Sequence, residues 1–428
     1  MKILKFILIP LVGSVLVGRA WAQEADPAPV TLELTLAKVE QLALKGNPHI
    51  HAARARARAA DKEVLPALFP ADPSFMIDKT GESGDPLNFS SGMEMWMVEE
   101  NLGFPGKGIV KADALGAEAK RLEAEAGATD REILLQARQA FWEFYFRSKV
   151  DGILQDAEKN WKHLSQVLQS KELSGQWLSL KTIKMQMESA RAVNDLITNT
   201  QALRVSQLNL THLFSLPHAT SYALAGDEEL PALALGEEEF VHRALHSNPQ
   251  LESARREVEA KEAEGKLALL DHLPDFNLRL SGTRDPNGGF SDYGFRFGLS
   301  VPIFFPAKQT QRADAAGERT EAARYDLKGK QDEVIHMTEQ AYVGAQSAWR
   351  LLQLYEQGGL LKQTERAWQA TQLAYRNEEI QLPEFVDNYN TYLQTVTAYY
   401  QARTDYGKAL AELEYQAGDL GGDDHEKP

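Results

Sequence analysis

Few residues in this chain have the types and spacing that do chemistry, and histidines are the first to test. His242 and His246 lie four apart on an expected helix, a spacing that puts two metal ligands on one face. His49 and His51 flank an Asn-Pro step. Neither pair has a third ligand identifiable from sequence, so both read as solvated helix faces. Acidic pairs are plentiful, but they fall on long helical tracts where carboxylates face water. There is no G-x-S-x-G nucleophile elbow, no His-Glu-x-x-His, and no Gly-rich phosphate loop after a strand. The chain does not read as an enzyme, and no cofactor is called for.

Composition narrows the class. Acidic residues outnumber basic ones 61 to 46, a formal charge of −15. A surface of that sign repels phosphate backbones, so a nucleic-acid partner is not expected. Lys2 and Lys5, an apolar run from Phe6 to Gly18 and Ala20-Trp21-Ala22 have the order of a secretory signal peptide over 1–22, with Gln23 as the expected first mature residue. The chain has no cysteine, which excludes thiolate metal sites and a thioether lipid anchor. Abundant Ala, Glu, Gln, Lys and Leu point to long helices.

The helices must be organised by a duplication, because the chain repeats itself at an offset of 201 residues. Ala43-Leu44-Lys45-Gly46-Asn47-Pro48 returns as Ala244-Leu245-His246-Ser247-Asn248-Pro249, and Pro73-Ser74-Phe75 as Pro274-Asp275-Phe276. Phe104-Pro105-Gly106-Lys107 returns as Phe305-Pro306-Ala307-Lys308, and Gln139-Ala140-Phe141 as Gln340-Ala341-Tyr342. This divides the mature chain into a first repeat over 23–216, a linker over 217–235 rich in Pro, Gly and acidic residues, a second repeat over 236–418, and a disordered acidic tail over 419–428.

Each repeat has the same order. A short helix (about 36–46 and 237–247) stops before Asn-Pro, because proline disfavours helical geometry in the residue before it. A second helix opens at that proline, two extended segments follow, and then a long helix and a return helix. The extended segments (about 74–102 and 274–303) alternate with period two: Phe276, Leu278 and Leu280 share one face, as do Tyr293, Phe295, Phe297 and Leu299. In the first hairpin Met93, Met95 and Met97 compete with Trp96 and Val98 for the apolar face, so its register stays open. No proline interrupts 107–174 or 308–382. Long helices are expected over about 107–174 and 308–377, each roughly 100 Å at 1.5 Å per residue, with return helices over about 176–215 and 384–417. Their apolar residues step by three and four, as in a coiled coil.

The hairpins have the length of tilted outer-membrane strands. Four strands cannot close a barrel, and lipid does not tolerate an open edge, so strands that span a membrane here force oligomerisation.

Two tandem halves of helix, hairpin, long helix and return helix, with the duplicated A-L-x-x-N-P and the proline-ended strands, resemble the TolC-like outer membrane factors over nearly the whole mature chain. Glu100-Asn101-Leu102-Gly103-Phe104-Pro105-Gly106-Lys107 looks like the heavy-metal efflux branch. The resemblance implies a mainly α fold with a small β part. It also implies a homotrimer with one twelve-stranded barrel in outer-membrane lipid and a helical tunnel in the periplasm. The implied partners are a periplasmic adaptor and an inner-membrane pump, of RND type for the metal branch. Many relatives carry a lipid-modified cysteine after the signal, and this chain departs from them there.

In that family acidic residues at the start of the last helix close the periplasmic mouth, and the matching positions here are Glu384 and Asp387. Helix capping is the plain alternative for both. Lys181 and Lys184, near the equivalent turn of the first half, are candidate closed-state partners. Trp96, Phe276, Leu278, Leu280, Phe295, Phe297 and Leu299 are the candidates for the lipid face. The implied function is passive efflux of heavy-metal cations or small toxic compounds. The outer component of a type I secretion or multidrug system would have the same architecture. A soluble periplasmic coiled-coil adaptor would explain the helices but not the amphipathic hairpins.

Overall fold

The computed structural model describes residues 31–81, 92–172, 180–217, 219–284 and 289–420. The signal segment, residues 173–179 and 285–288, and the tail beyond 420 lie outside the described residues.

The first repeat opens with strand β1 (Thr31–Leu34) and helix α1 (Leu36–Gly46). Thr35 caps α1 by accepting from the Lys38 amide at 3.2 Å. Helix α2 (Pro48–Val64) follows, then strands β2 (Ser74–Gly81) and β3 (Gly92–Leu102), the long helix α3 (Lys107–Glu172) and the return helix α4 (Leu180–Phe214). The second repeat opens with β4 (Ser221–Leu224), α5 (Glu237–Ser247) and α6 (Pro249–Leu270). It continues through β5 (Asp275–Arg284), β6 (Phe290–Ser300), α7 (Gln309–Glu356), α8 (Leu360–Arg376) and α9 (Leu382–Ala417).

The duplicated Asn-Pro does the same work twice. The Asn47 carboxamide oxygen accepts from the His49 amide at 2.9 Å, capping α2, while its nitrogen donates to the Leu213 carbonyl at 3.1 Å. Asn248 accepts from the amides of Gln250 and Leu251 and donates to the Gln416 carbonyl at 2.9 Å. One side chain thus starts a helix and holds the end of the return helix of the same repeat. Proline at N1 has no amide to leave unpaired.

Helix α3, 66 residues long, spans roughly 100 Å. Its aromatic-rich turn is the core of the first repeat. Phe141, Trp142, Phe144 and Tyr145 are buried against Val39, Ile50, Leu210, Phe214 and Tyr222. Burying large aromatic side chains dominates core energetics. Helix α9 closes over this turn at Gly407, where a Cβ would fall 2.2 Å from the Trp142 indole. Tyr342, the repeat counterpart of Phe141, packs instead on Phe240 in a smaller core with Leu413 and Ala417.

Ion pairs join the two halves. Arg138 on α3 reaches Glu40 at 2.5 Å and also Glu414 of α9. Burial pushes the Glu414 carboxyl above its ordinary value, against the pull of Arg138. Arg121 pairs with Glu118 at 2.7 Å and with Glu257 of α6 at 3.0 Å, and its hydrogen bond holds Glu118 below the usual carboxylate range.

Three expectations need correction. The second long helix is not continuous to 377: it breaks at Gln357-Gly358-Gly359, where Gly359 takes φ +69°. Proline-free sequence did not flag this break, because glycine ends a helix through the left-handed region rather than through a clash. The stretch 217–235 is more than a linker, since β4 pairs in parallel with β1, Leu34 opposite Leu224. Asp227 in the same stretch accepts from Tyr145 Oη at 3.0 Å and pairs with Lys149 at 2.6 Å, and Tyr406 donates to the Pro231 carbonyl. Finally, the start of the expected acidic tail is docked: Leu420 is buried and Asp419 pairs with Arg243 at 3.2 Å.

Candidate functional site

No described helix is long and apolar enough to cross a membrane. Strands β2, β3, β5 and β6 form one antiparallel sheet in the order β2-β3-β5-β6. The register places Ile77, Trp96, Gly282 and Tyr293 in one row, and Phe75, Val98, Leu280 and Phe295 in the next. Side chains alternate between faces, so these rows, the row of Glu100, Leu278 and Phe297 and that of Leu102, Phe276 and Leu299 share one face, apolar except for Glu100 and for the row of Lys79, Glu94 and Arg284 at its far end. All seven lipid-face candidates, Trp96, Phe276, Leu278, Leu280, Phe295, Phe297 and Leu299, lie on it. Phe295 is 70% exposed and Leu280 50%, too open for a packed core. Phe75 and Ile77 extend the face; sequence reasoning passed over them because the first hairpin alternates poorly.

The other face is polar. Asp78, Glu99, Asn101, Asn277, Arg279 and Arg296 stand on it, and Arg279 pairs with Glu99 at 2.7 Å. The open register of the first hairpin is resolved here, with Met93, Met95 and Met97 on the polar face and Trp96 and Val98 on the apolar one. Close packing fixes the sheet at its glycines. The Trp96 ring covers Gly282 and meets Tyr293 edge-on at 6.4 Å. A Cβ at Gly298 would fall 2.0 Å from Asn277 Oδ1. Among the described residues, the outer edges of β2 and β6 have no strand partner.

Where sheet gives way to helix, the Phe104-Pro105-Gly106-Lys107 stretch is anchored to the second half. The Phe104 amide donates to Asp275 Oδ1 at 3.1 Å, and Lys107 Nζ lies 3.1 Å from Asp271 and 3.5 Å from Asp275. Gly106 takes φ +92°, a backbone that favours glycine. The repeat counterpart Lys308 has no ion pair among the described residues. Around this level Leu65, Phe69, Ile109, Ile303 and Phe304 are all exposed.

At the far end of the helices, Glu384 and Asp387 occupy the first turns of α9 and both are exposed. Between them Phe385 and Val386 turn inward to Trp161, Met185 and Tyr389. Trp368 of α8 stacks on Tyr389 at 4.4 Å, and Phe385 lies 4.5 Å from Tyr375. Burial raises the Tyr389 hydroxyl above its ordinary value. The two carboxylates therefore ride on a rigid aromatic base and point away from it. Lys181 is exposed and Lys184 half-buried on α4, and within this one chain no ion pair joins either to Glu384 or Asp387. The base itself was not anticipated from sequence; the spacing of Phe385 and Tyr389 with the nearby Trp368 was the available signal.

The histidine rings of His242 and His246 lie 4.4 Å apart, with His246 Nδ1 2.8 Å from the His242 carbonyl. Among the described residues no three His, Cys, Asp or Glu side chains are grouped to hold a metal ion.

Residues 240–419, most of the second repeat, match the family described as outer membrane efflux protein. A stretch of 120 residues is 28% identical to the alkaline protease secretion protein AprF of Pseudomonas aeruginosa, covering 26% of this chain and 25% of that protein. The matched stretch thus spans about a quarter of that relative's length. The CmeC outer membrane channel of Campylobacter jejuni superposes with a TM-score of 0.74 over 90% of this chain and 85% of its own, at 15% identity. CusC, described in terms of transmembrane channel formation, does so with a TM-score of 0.70 over 93% and 95%, at 14% identity. The chain has their TolC-like fold, mainly α with a small β part.

Proposed function

We propose that the chain is one subunit of an outer-membrane efflux channel that conducts solutes passively from periplasm to exterior. One observation carries the reading: a four-stranded sheet with an exposed aromatic and aliphatic face, a charged opposite face and two unpaired edges, set on a helix of roughly 100 Å. Such a sheet is intolerable as a lone object in lipid and useless as one in water. Three copies joined edge to edge, β6 of one to β2 of the next, supply twelve strands, with the charged face lining the pore. The helices continue the pore into the periplasm, where Glu384 and Asp387 ring its mouth and a periplasmic adaptor and an inner-membrane pump dock. Lys181 and Lys184 of a neighbouring copy are the closed-state partners of that ring.

Heavy-metal cations are the favoured cargo, on the resemblance of Glu100 to Lys107 to the metal branch, with an RND-type pump inside. A second reading rests on the similarity to AprF, a protease secretion protein: the same channel serving a type I secretion system. A soluble coiled-coil adaptor would not need the apolar sheet face.

Purified protein reconstituted in planar bilayers tests the channel, together with its mass in detergent. Discrete conductance from a trimeric particle is the expected result. A monodisperse monomer, soluble without detergent and silent in bilayers, would overturn it. Metal and drug sensitivity of a deletion strain then separates the cargoes.

A further inference from the structure

We propose that the pore-lining face of the sheet carries a binding site for soft monovalent metal cations, Cu(I) or Ag(I), built from the thioethers of Met76, Met93, Met95 and Met97. This deepens the channel reading and rests on it for the direction of that face. Met76 is the direct antiparallel partner of Met97, while Met95 and Met93 follow at two-residue steps on the same side of β3. Directly opposite residues stand about 5 Å apart at Cα and successive same-face residues about 7 Å apart. A methionine side chain has three rotatable bonds, so two or three sulfurs can converge on one ion, with the fourth one step along the pore.

Met76, Met93 and Met95 are 41%, 49% and 37% exposed, on the face opposite the aromatics. The duplication supplies an internal control. At the offset of 201, Met76, Met93, Met95 and Met97 correspond to Asn277, Gly294, Arg296 and Gly298, on the same face of the second hairpin and in the same pairing, Asn277 opposite Gly298. The fold therefore builds this hairpin with polar residues and glycine. Four of the chain's eight methionines are nonetheless gathered on the polar face of the other.

The chemistry selects the ligand. Thioether sulfur is a soft, uncharged donor that suits Cu(I), whereas Mg(II) and Ca(II) prefer oxygen. Asp78, opposite Met95 on the same face, adds one negative charge that draws cations without offering a cage. Conduction needs sites weak and serial enough to release the ion, and a row of neutral donors meets that need.

The test is calorimetric titration of the full-length protein in detergent with silver nitrate in chloride-free buffer, and with magnesium nitrate as the hard control. The comparison is the quadruple variant Met76→Leu, Met93→Leu, Met95→Leu, Met97→Leu, a set of volume-conserving changes. The expected result is saturable silver binding that weakens at least about tenfold in the variant, the cost of losing even an indirect partner of a metal, with no magnesium binding at this site. Equal silver affinity in both proteins, or none in the wild type, overturns the proposal. Potassium conductance of both proteins is recorded alongside. Conductance without silver binding rejects the site and leaves the channel standing, whereas silver binding that depends on these methionines in a protein that never conducts supports the site and rejects the channel.

Discussion

The indole of Trp96 lies flat against Gly282 across the β3–β5 pairing, and a Cβ there would fall 2.4 Å from the ring. The ring cannot retreat freely, since Tyr293 borders it at 6.4 Å. Gly282→Val is expected to destabilise the sheet by about 1–3 kcal/mol through overpacking, and Trp96→Ala in the same chain to restore part of the loss. The temperature at which the oligomer dissociates in mild detergent measures both.

Asn248 is 1% exposed and satisfies two amides and one carbonyl. Asn248→Ala removes a cap and leaves the Gln416 carbonyl without that donor, a combined cost of about 2 kcal/mol. Asn47→Ala is expected to cost less, because Asn47 accepts from one amide where Asn248 accepts from two. Thermal melts followed by helical circular dichroism rank the two.

Lys107 is held by Asp271 and Asp275, and Lys308 has no such partner among the described residues. By the repeat, the next copy brings Asp72, which is exposed and lies between the positions corresponding to those two acids. Lys308→Glu is expected to loosen the oligomer, and Lys308→Glu with Asp72→Lys to tighten it again. Native mass measurement of the three proteins decides; monomers from both variants, or trimers of unchanged stability from both, would exclude the contact.

Glu384→Ala with Asp387→Ala is expected to raise single-channel conductance and weaken block by divalent cations, since the proposed ring of carboxylates would narrow the mouth and attract them. The aromatic base under α9 stays in place, so folding is not at issue. Unchanged conductance and block would remove both residues from the gate.

The hydrogen bond from Lys149, reinforced by Tyr145, holds the Asp227 carboxyl below its ordinary value. A lowered folded value means that the contribution to stability is fully present above about pH 4, the ordinary carboxyl value, and is lost as pH falls through the folded one. Asp227→Asn should melt earlier than the wild type at pH 7, and the gap should close on acidification below that ordinary value. A gap that does not narrow at all on acidification would show that the ion pair is not its cause.

Much of this architecture is legible in residues whose role is local. Asn-Pro announces a helix start wherever it falls, and strict alternation from Tyr293 to Leu299 fixes a face without knowledge of the rest. The first hairpin is opaque for a physical reason: Met93, Met95 and Met97 count as apolar in any pattern, yet the register puts them on the polar side. The break at Gly359 escaped because glycine is permitted inside a helix and only tertiary packing decides whether it is used to leave one. Strand β4 escaped because four residues acquire meaning only beside β1, far away in sequence. Lys107 was visible as part of a motif, but its partners Asp271 and Asp275 belong to the other half.

The pairing of β1 with β4 also bears on biogenesis. Thr31 finds Ser221 only after the 189 residues between them have crossed the inner membrane. A subunit emerging in order cannot finish its first half early; its opening strand waits, and with it the apolar ridge around Leu34. Contacts of such long separation slow maturation and leave half-made chains adhesive.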